Sequence, residues 1–228
     1  MKLRGYKMER RSLFRISFAG SVLLISAALA HRASAQAIPQ NFDVVVAPAL
    51  PAGWTAANAS GVAPLWVTST TTPDTAPNDA FIDDPASVSD KRLDSPAFIP
   101  GGASPTFSFR HQFALESNFD GGVIEISVNG GVFTDIITAG GTLTGQGYNG
   151  TIDAISGNPI AGRSAFTGTS PGFPAYVTTN VNIPATAQGK SVVVRWRMGS
   201  DLSAAGIGWR IDTISALTPV ELIKFSSD

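Results

Sequence analysis

The side chains able to do chemistry are carboxylates, guanidinium groups and one histidine. A typical hydrolase nucleophile needs a base beside it. Here the only histidine beyond the first 35 residues is His111, and there is no cysteine anywhere in the chain. His111 alternates with Phe109 and Phe113, which predicts a buried, hydrogen-bonded core histidine rather than a catalytic one. A single imidazole cannot build a typical zinc protease site. Neither a phosphate-cradling glycine loop nor a dinucleotide fingerprint occurs where a strand would lead into a helix. Paired carboxylates could still hydrolyse glycosides, and the candidates are Glu116, Asp120, Glu125 and Asp135. The expectation is nonetheless that the chain is not an enzyme.

Two non-catalytic chemistries fit the residues better. Residues 70–95 are rich in hard oxygen donors: Asp74, Asn78, Asp79, Asp83, Asp84 and Asp90. Ca²⁺ takes such ligands from loops. A structural Ca²⁺ held by Asp43, Asp79, Asp83 and Asp212 is therefore expected, with Asp43 and Asp212 on neighbouring first and last strands. The competing reading is an acidic, solvated loop without a metal. The second chemistry belongs to an outward sheet face, where Arg110, Glu125, Arg195 and Arg197 could recognise sugar hydroxyls or carboxylates through planar guanidinium groups. Internal ion pairing on a solvated face would use the same residues. The four tryptophans, Trp54, Trp66, Trp196 and Trp209, could stack on sugars if exposed, but alternation and neighbouring residues place them in the core.

The elements that must position these groups read as strands. Glycine and proline are frequent (23 and 15 residues), and short alternating apolar runs lie between turn signals. Residues 106–116 and 191–198 alternate strictly, placing Phe107, Phe109, His111 and Phe113, and Val192, Val194, Trp196 and Met198, on inward faces. Further strands are expected at 41–47, 65–69, 80–82, 123–129, 132–137, 176–183 and 208–216, with a tight Gly130-Gly131 turn. The expected fold is all-β: a jelly-roll β-sandwich of about eight to ten mainly antiparallel strands. Two long loops, 70–95 and 138–172, are of the kind ordered by function or by an ion.

The first 35 residues read as a helical signal peptide. Lys2, Arg4, Lys7, Arg10, Arg11 and Arg15 precede an apolar run, Phe18 to Ala30, and Ala33-Ser34-Ala35 supplies a small-x-small cleavage site. The run of 13 residues is too short for a permanent membrane anchor. Arg10-Arg11 resembles a twin-arginine signal, but Glu9 and the Leu13-Phe14 order favour Sec export to the exterior or cell surface. Removing residues 1–35 takes seven of the sixteen basic residues and one of the seventeen acids. The remaining acidic chain argues against nucleic acid and against anionic lipid as partners. The expected organisation is a signal at 1–35, one sandwich domain at 36–217 and a tail at 218–228.

Several motifs together resemble secreted bacterial jelly rolls of the MAM-like, cleaved-adhesin and galactose-binding-like type. They include Asn41-Phe42-Asp43 with Leu50-Pro51-Ala52-Gly53-Trp54, Ser89-Asp90-Lys91-Arg92-Leu93-Asp94, Phe119-Asp120-Gly121-Gly122-Val123-Ile124-Glu125, Gly162-Arg163-Ser164 and Gly208-Trp209-Arg210-Ile211-Asp212. Such modules are appended to exported proteins, including metallopeptidases related to immune inhibitor A. The resemblance implies a non-catalytic, often calcium-bound accessory domain that binds a glycan or a cell-surface protein. Two alternatives stay open: a carboxylate-based glycoside hydrolase, and a structural spacer left from a larger exported protease or adhesin.

Overall fold

The computed structural model describes residues 39–61, 63–101 and 105–217. The expected signal peptide and the tail at 218–228 lie outside the described residues. Thirteen strands lie among the described residues. They are β1 (Thr55–Ser60), β2 (Val67–Ser69), β3 (Asp79–Asp84), β4 (Ser89–Asp94), β5 (Thr106–Ala114), β6 (Gly121–Val128), β7 (Thr134–Asp135), β8 (Thr142–Gly145), β9 (Gly150–Thr151), β10 (Ser164–Ala165), β11 (Val177–Asn182), β12 (Val192–Ser200) and β13 (Gly206–Leu217). A 3₁₀ turn, Ala185–Ala187, precedes β12.

The strands make two antiparallel sheets. One runs β1-β4-β12-β6-β7 and the other β2-β3-β13-β5-β11-β8, with β9 and β10 as a separate ribbon. The β-sandwich expected from period-two alternation is thus the observed architecture. Side chains from the two sheets interdigitate between them. Trp196 of β12 lies edge-on to Phe107 and Phe109 of β5, with ring centroids 6.1 and 5.8 Å apart, and packs on Trp54. Trp209 of β13 packs against Trp66, His111 and Phe166. All four tryptophans are buried. Each large aromatic buried this way contributes several kcal/mol, of order 3–5 on truncation to alanine.

Close packing also explains one glycine. A Cβ on Gly122 would stand 2.4 Å from the Trp209 ring. The strand must therefore carry glycine where the second sheet's indole presses against it.

Residues 41–47 are not the expected opening strand. They form turns, and only Gln40 bridges to Ile214 of β13. The Gln40 side chain accepts from the Phe42 amide at 2.6 Å, and buried Asn78 donates to the carbonyls of Phe42 and Val45. These side chains meet the backbone's hydrogen-bond demand without a neighbouring strand. Phe42 is driven into the core while Val44 and Val46 stay exposed.

β1 and β4 were not legible as strands. β4 is mostly polar, yet it sits between β1 and β12, where its charges meet partners across the sheet.

A second, smaller apolar cluster lies apart from the main core. Val123, Ile152, Ile160 and Ala165 pack together, bringing the 146–165 excursion onto β6. That long loop is therefore held by its own apolar contacts and by the β9–β10 ribbon.

Candidate functional site

The register of the five-stranded sheet places β4, β12 and β6 side by side. Arg195 lies opposite Asp94 on one side and Glu125 on the other, and Arg197 lies opposite Arg92 and Val123. An ion-pair lattice follows from that placement. Arg195 grips Asp94 through two hydrogen bonds of 2.6 and 2.8 Å. Its guanidinium also stacks over Phe133, 3.5 Å from the ring centre. Arg197 grips Asp90 at 2.8 and 2.9 Å and reaches Glu125 at 3.0 Å. Arg92 adds a further pair, to Asp90 at 2.6 Å.

Glu125 is the hub. It is 3% exposed, and its carboxylate meets Arg163 at 2.6 Å, Arg197 at 3.0 Å and Arg195 at 3.9 Å. Arg163 comes from the long loop and also binds Asp135 at 2.9 Å. Burial alone would raise the Asp90 carboxyl; the guanidinium groups of Arg197 and Arg92 outweigh it and hold the pKa below the ordinary carboxylate value.

Beside this lattice lies an open groove of about 770 Å³, whose lining includes Asp135, Ile137, Leu143, Thr151, Arg163 and Ser164. This volume falls in the range of small-ligand sites. Thr151 and Ser164, both hydroxyl-bearing, are exposed residues of the lining, as is Ile137. Tyr148 closes the groove floor: its hydroxyl accepts from the Ile124 amide at 2.8 Å and donates to Asp135 at 3.2 Å.

Arg110 does not join this face. It lies on β5 in the other sheet, paired with Asp74 at 2.8 and 2.9 Å and bonded to Thr178. The expected cluster of Arg110, Glu125, Arg195 and Arg197 is therefore three residues on one sheet and one on its neighbour. Alternation tells which side of its own strand a residue faces, not which sheet that strand joins. Arg163 was missed as a member because it sits in a glycine-rich loop with no periodicity to place it.

The four expected calcium ligands also divide. Asp43 and Asp212 do approach each other beside residues 75–78. Asp43 accepts from the Asn78 amide at 3.0 Å, and Asp212 from the Thr75 amide at 2.8 Å. Burial raises the Asp212 carboxyl, the Thr75 and Thr213 amides oppose that, and the Asp43 charge adds to the rise. Asp79 is instead neutralised: both of its oxygens accept from Arg210, at 3.0 and 2.8 Å, and Tyr176 donates to it at 2.8 Å. Asp83 pairs with the buried Lys91. These four carboxylates do not converge, because two already have cationic partners supplied by the fold.

His111 is wholly buried. Its Nε2 bonds Thr179 Oγ1 at 2.8 Å and its Nδ1 accepts from the Trp209 indole at 3.2 Å. Burial, with Arg110 nearby, lowers its pKa to about 3. Both ring nitrogens are occupied by structural partners within an aromatic cluster of Phe109, Phe113 and Phe166.

No family model matches the chain, and no curated protein does. Several solved structures are similar, among them the following three. The K2 cleaved adhesin domain of Lys-gingipain superposes with a TM-score of 0.46 at 15% identity, over 80% of this chain and 98% of that one. The K1 cleaved adhesin domain of Lys-gingipain from Porphyromonas gingivalis W83 gives 0.47 at 16%, over 81% and 99%. A structure from work on carbohydrate-binding modules of the β-sandwich superfamily gives 0.45 at 10%, over 78% and 61%. At these identities and scores none of them transfers a ligand or an activity to this chain.

Proposed function

We propose that the protein is a non-enzymatic binding module whose groove beside the five-stranded sheet takes a polyhydroxylated ligand, a glycan segment. The observation that carries this reading is the groove's make-up. Thr151 and Ser164, exposed and hydroxyl-bearing, line it together with Ile137 and Leu143, and Arg163 and Asp135 stand in an already ordered lattice. Sugars need hydroxyl partners together with an apolar surface for their C–H faces, held in place before the ligand arrives. Glu125, Arg195 and Arg197 keep the Arg163 head group in position rather than contacting the ligand themselves.

The non-enzymatic part is supported by the state of the reactive groups. The imidazole is enclosed by Thr179 and Trp209, and Glu125 is held by three guanidinium groups. Neither is free to exchange a proton with a substrate in the groove.

The test is a glycan array followed by calorimetric titration of any hit. Binding is expected to weaken about tenfold or more in Arg163→Ala, consistent with loss of a charged hydrogen-bonding partner. Because that substitution also loosens Glu125, Ser164→Trp serves as a second variant, filling the groove from an exposed rim position. Unchanged affinity in the filled-groove variant would refute the assignment. Release of a shortened sugar from any array hit would return the reading to a glycoside hydrolase.

A further inference from the structure

We infer that a divalent cation of the calcium type binds at the end of the sandwich where Asp84, Glu116, Asp120 and Asp201 meet. This site is separate from the groove and does not depend on what the groove binds.

The four residues come from three chain segments. Asp84 ends β3, Glu116 and Asp120 lie in the turn between β5 and β6, and Asp201 follows β12. Ligand oxygens of Glu116, Asp120 and Asp201 lie within 4.8 Å of one another. That is no wider than the span across a calcium coordination sphere, about twice a 2.3–2.6 Å bond. Asp84 is the direct neighbour of Asp120.

An acidic cluster alone would say little, since exposed carboxylates gather without any ion. Here the second observation is burial without partners. Asp120 is 0% exposed and Asp84 is 2% exposed. Asp120 Oδ2 and Asp84 Oδ1 are both shut off from solvent and find no donor on any other residue; the two carboxyls face each other, so without a cation only a proton held between them can join them. Leaving a buried carboxylate oxygen unmet is costly. The ion pairs found among the described residues all use other carboxylates, so no lysine or arginine answers these charges. Burial pushes both the Asp84 and Asp120 carboxyls up, and Asp84 pushes Asp120 further. A cation among them would relieve that repulsion.

The carboxylates are also held in place from behind. Asp84 Oδ2 accepts from the amides of Glu116 and Gly206, at 3.2 and 3.1 Å. Asp120 Oδ1 accepts from the Asp201 amide at 2.7 Å. Ser203 donates its amide to Asp201 at 2.7 Å and its hydroxyl to Glu116 at 2.9 Å. In the two most buried residues one oxygen is thus fixed by backbone amides while the other is left over. Gly206 allows the close approach: a Cβ there would fall 2.6 Å from Asp84 Oδ2 and 2.3 Å from the Ala114 carbonyl. Anionic oxygens supplied by irregular loops suit Ca²⁺, whose coordination is adaptable, better than Mg²⁺, which demands near-ideal octahedral geometry.

The experiment uses the protein stripped with EDTA, titrated with CaCl₂ by calorimetry while its thermal midpoint is followed in parallel. One Ca²⁺ per chain is expected, with a midpoint that climbs with the logarithm of calcium concentration and a weaker response to MgCl₂. Asp120→Asn should weaken binding about tenfold or more. Glu116→Gln is the companion variant; its half-buried side chain can change without opening the core, and it should weaken binding too. Asp43→Asn, at the other carboxylate pair, should leave binding unchanged. Absence of both heat and midpoint shift would overturn the inference, as it would if the buried oxygens merely share a proton. So would calcium binding that Asp43→Asn abolishes and the other two variants do not. Glycan capture is not read in any arm, so this site and the groove can fail separately.

Discussion

The outer face of the five-stranded sheet and the loop end of the sandwich both gather carboxylates, but in opposite ways. On the sheet, Asp90, Asp94, Glu125 and Asp135 each meet a guanidinium group. At the loop end, Asp84 and Asp120 meet each other. The difference lies in how neighbours are chosen. Within a sheet, antiparallel register sets each residue opposite fixed positions on adjacent strands, so charges of opposite sign can be paired locally. At the end of the sandwich, neighbours arrive through loop closure, and here the fold brings like charges together. A charge so placed must be answered by something other than a side chain.

The largest expected effect that would break this contrast is on the sheet. Glu125→Ala would leave Arg163 and Arg197 without their shared partner. Urea unfolding should show a loss of about 3–5 kcal/mol, the usual cost of removing one member of a buried charge cluster. A loss below about 1 kcal/mol would mean that the lattice is merely a solvated surface, as exposed pairs are.

The core between the two regions gives the next effect, through pH. His111 has a folded-state pKa near 3 against an ordinary value near 6.5. The unfolded chain therefore takes up a proton below pH 6.5 that the folded chain refuses until about pH 3. Stability should fall as pH drops through this window, by about 1.4 kcal/mol per unit from this group. His111→Gln should flatten that part of the profile, measured by denaturation at a series of pH values.

A smaller effect of opposite sign is expected at the loop end. In EDTA, Asp120→Asn removes a carboxyl that burial and Asp84 push up, and with it the cost of protonating that group on folding, and should raise stability by about 1–2 kcal/mol. The same carboxylate-to-amide change at Asp90, on the sheet, should lower it. If both variants shift in the same direction, the contrast between the regions is gone.

Smallest of all is Arg110→Ala. The Arg110–Asp74 pair is about a third exposed on the arginine side, and its loss should cost less than about 1 kcal/mol in the same unfolding assay.

Much of the sandwich was legible because burial in a sheet has a period of two. Val192, Val194, Trp196 and Met198 fall inward and are buried, as their alternation predicts. A run of β-branched residues misled at 41–47, where the consecutive valines 44–46 lie in turns held by Asn78 and Gln40. Alternation was silent for β4, whose polar pattern becomes sensible only beside β12. His111 was readable as a core residue from its phenylalanine neighbours. The Arg195–Glu125–Arg197 grouping was readable as well, but not Arg163, which tertiary packing of the Val123–Ile152–Ile160 cluster brings to Glu125.

Composition and alternation by themselves determined that this chain makes facing antiparallel sheets with aromatic side chains between them, since each strand carries its own inside and outside. Which carboxylates would find a positive partner, and which would be left facing one another, was decided only when distant loops closed. Residues 84, 120 and 201 have no common period, and nothing short of the folded backbone brings them within reach.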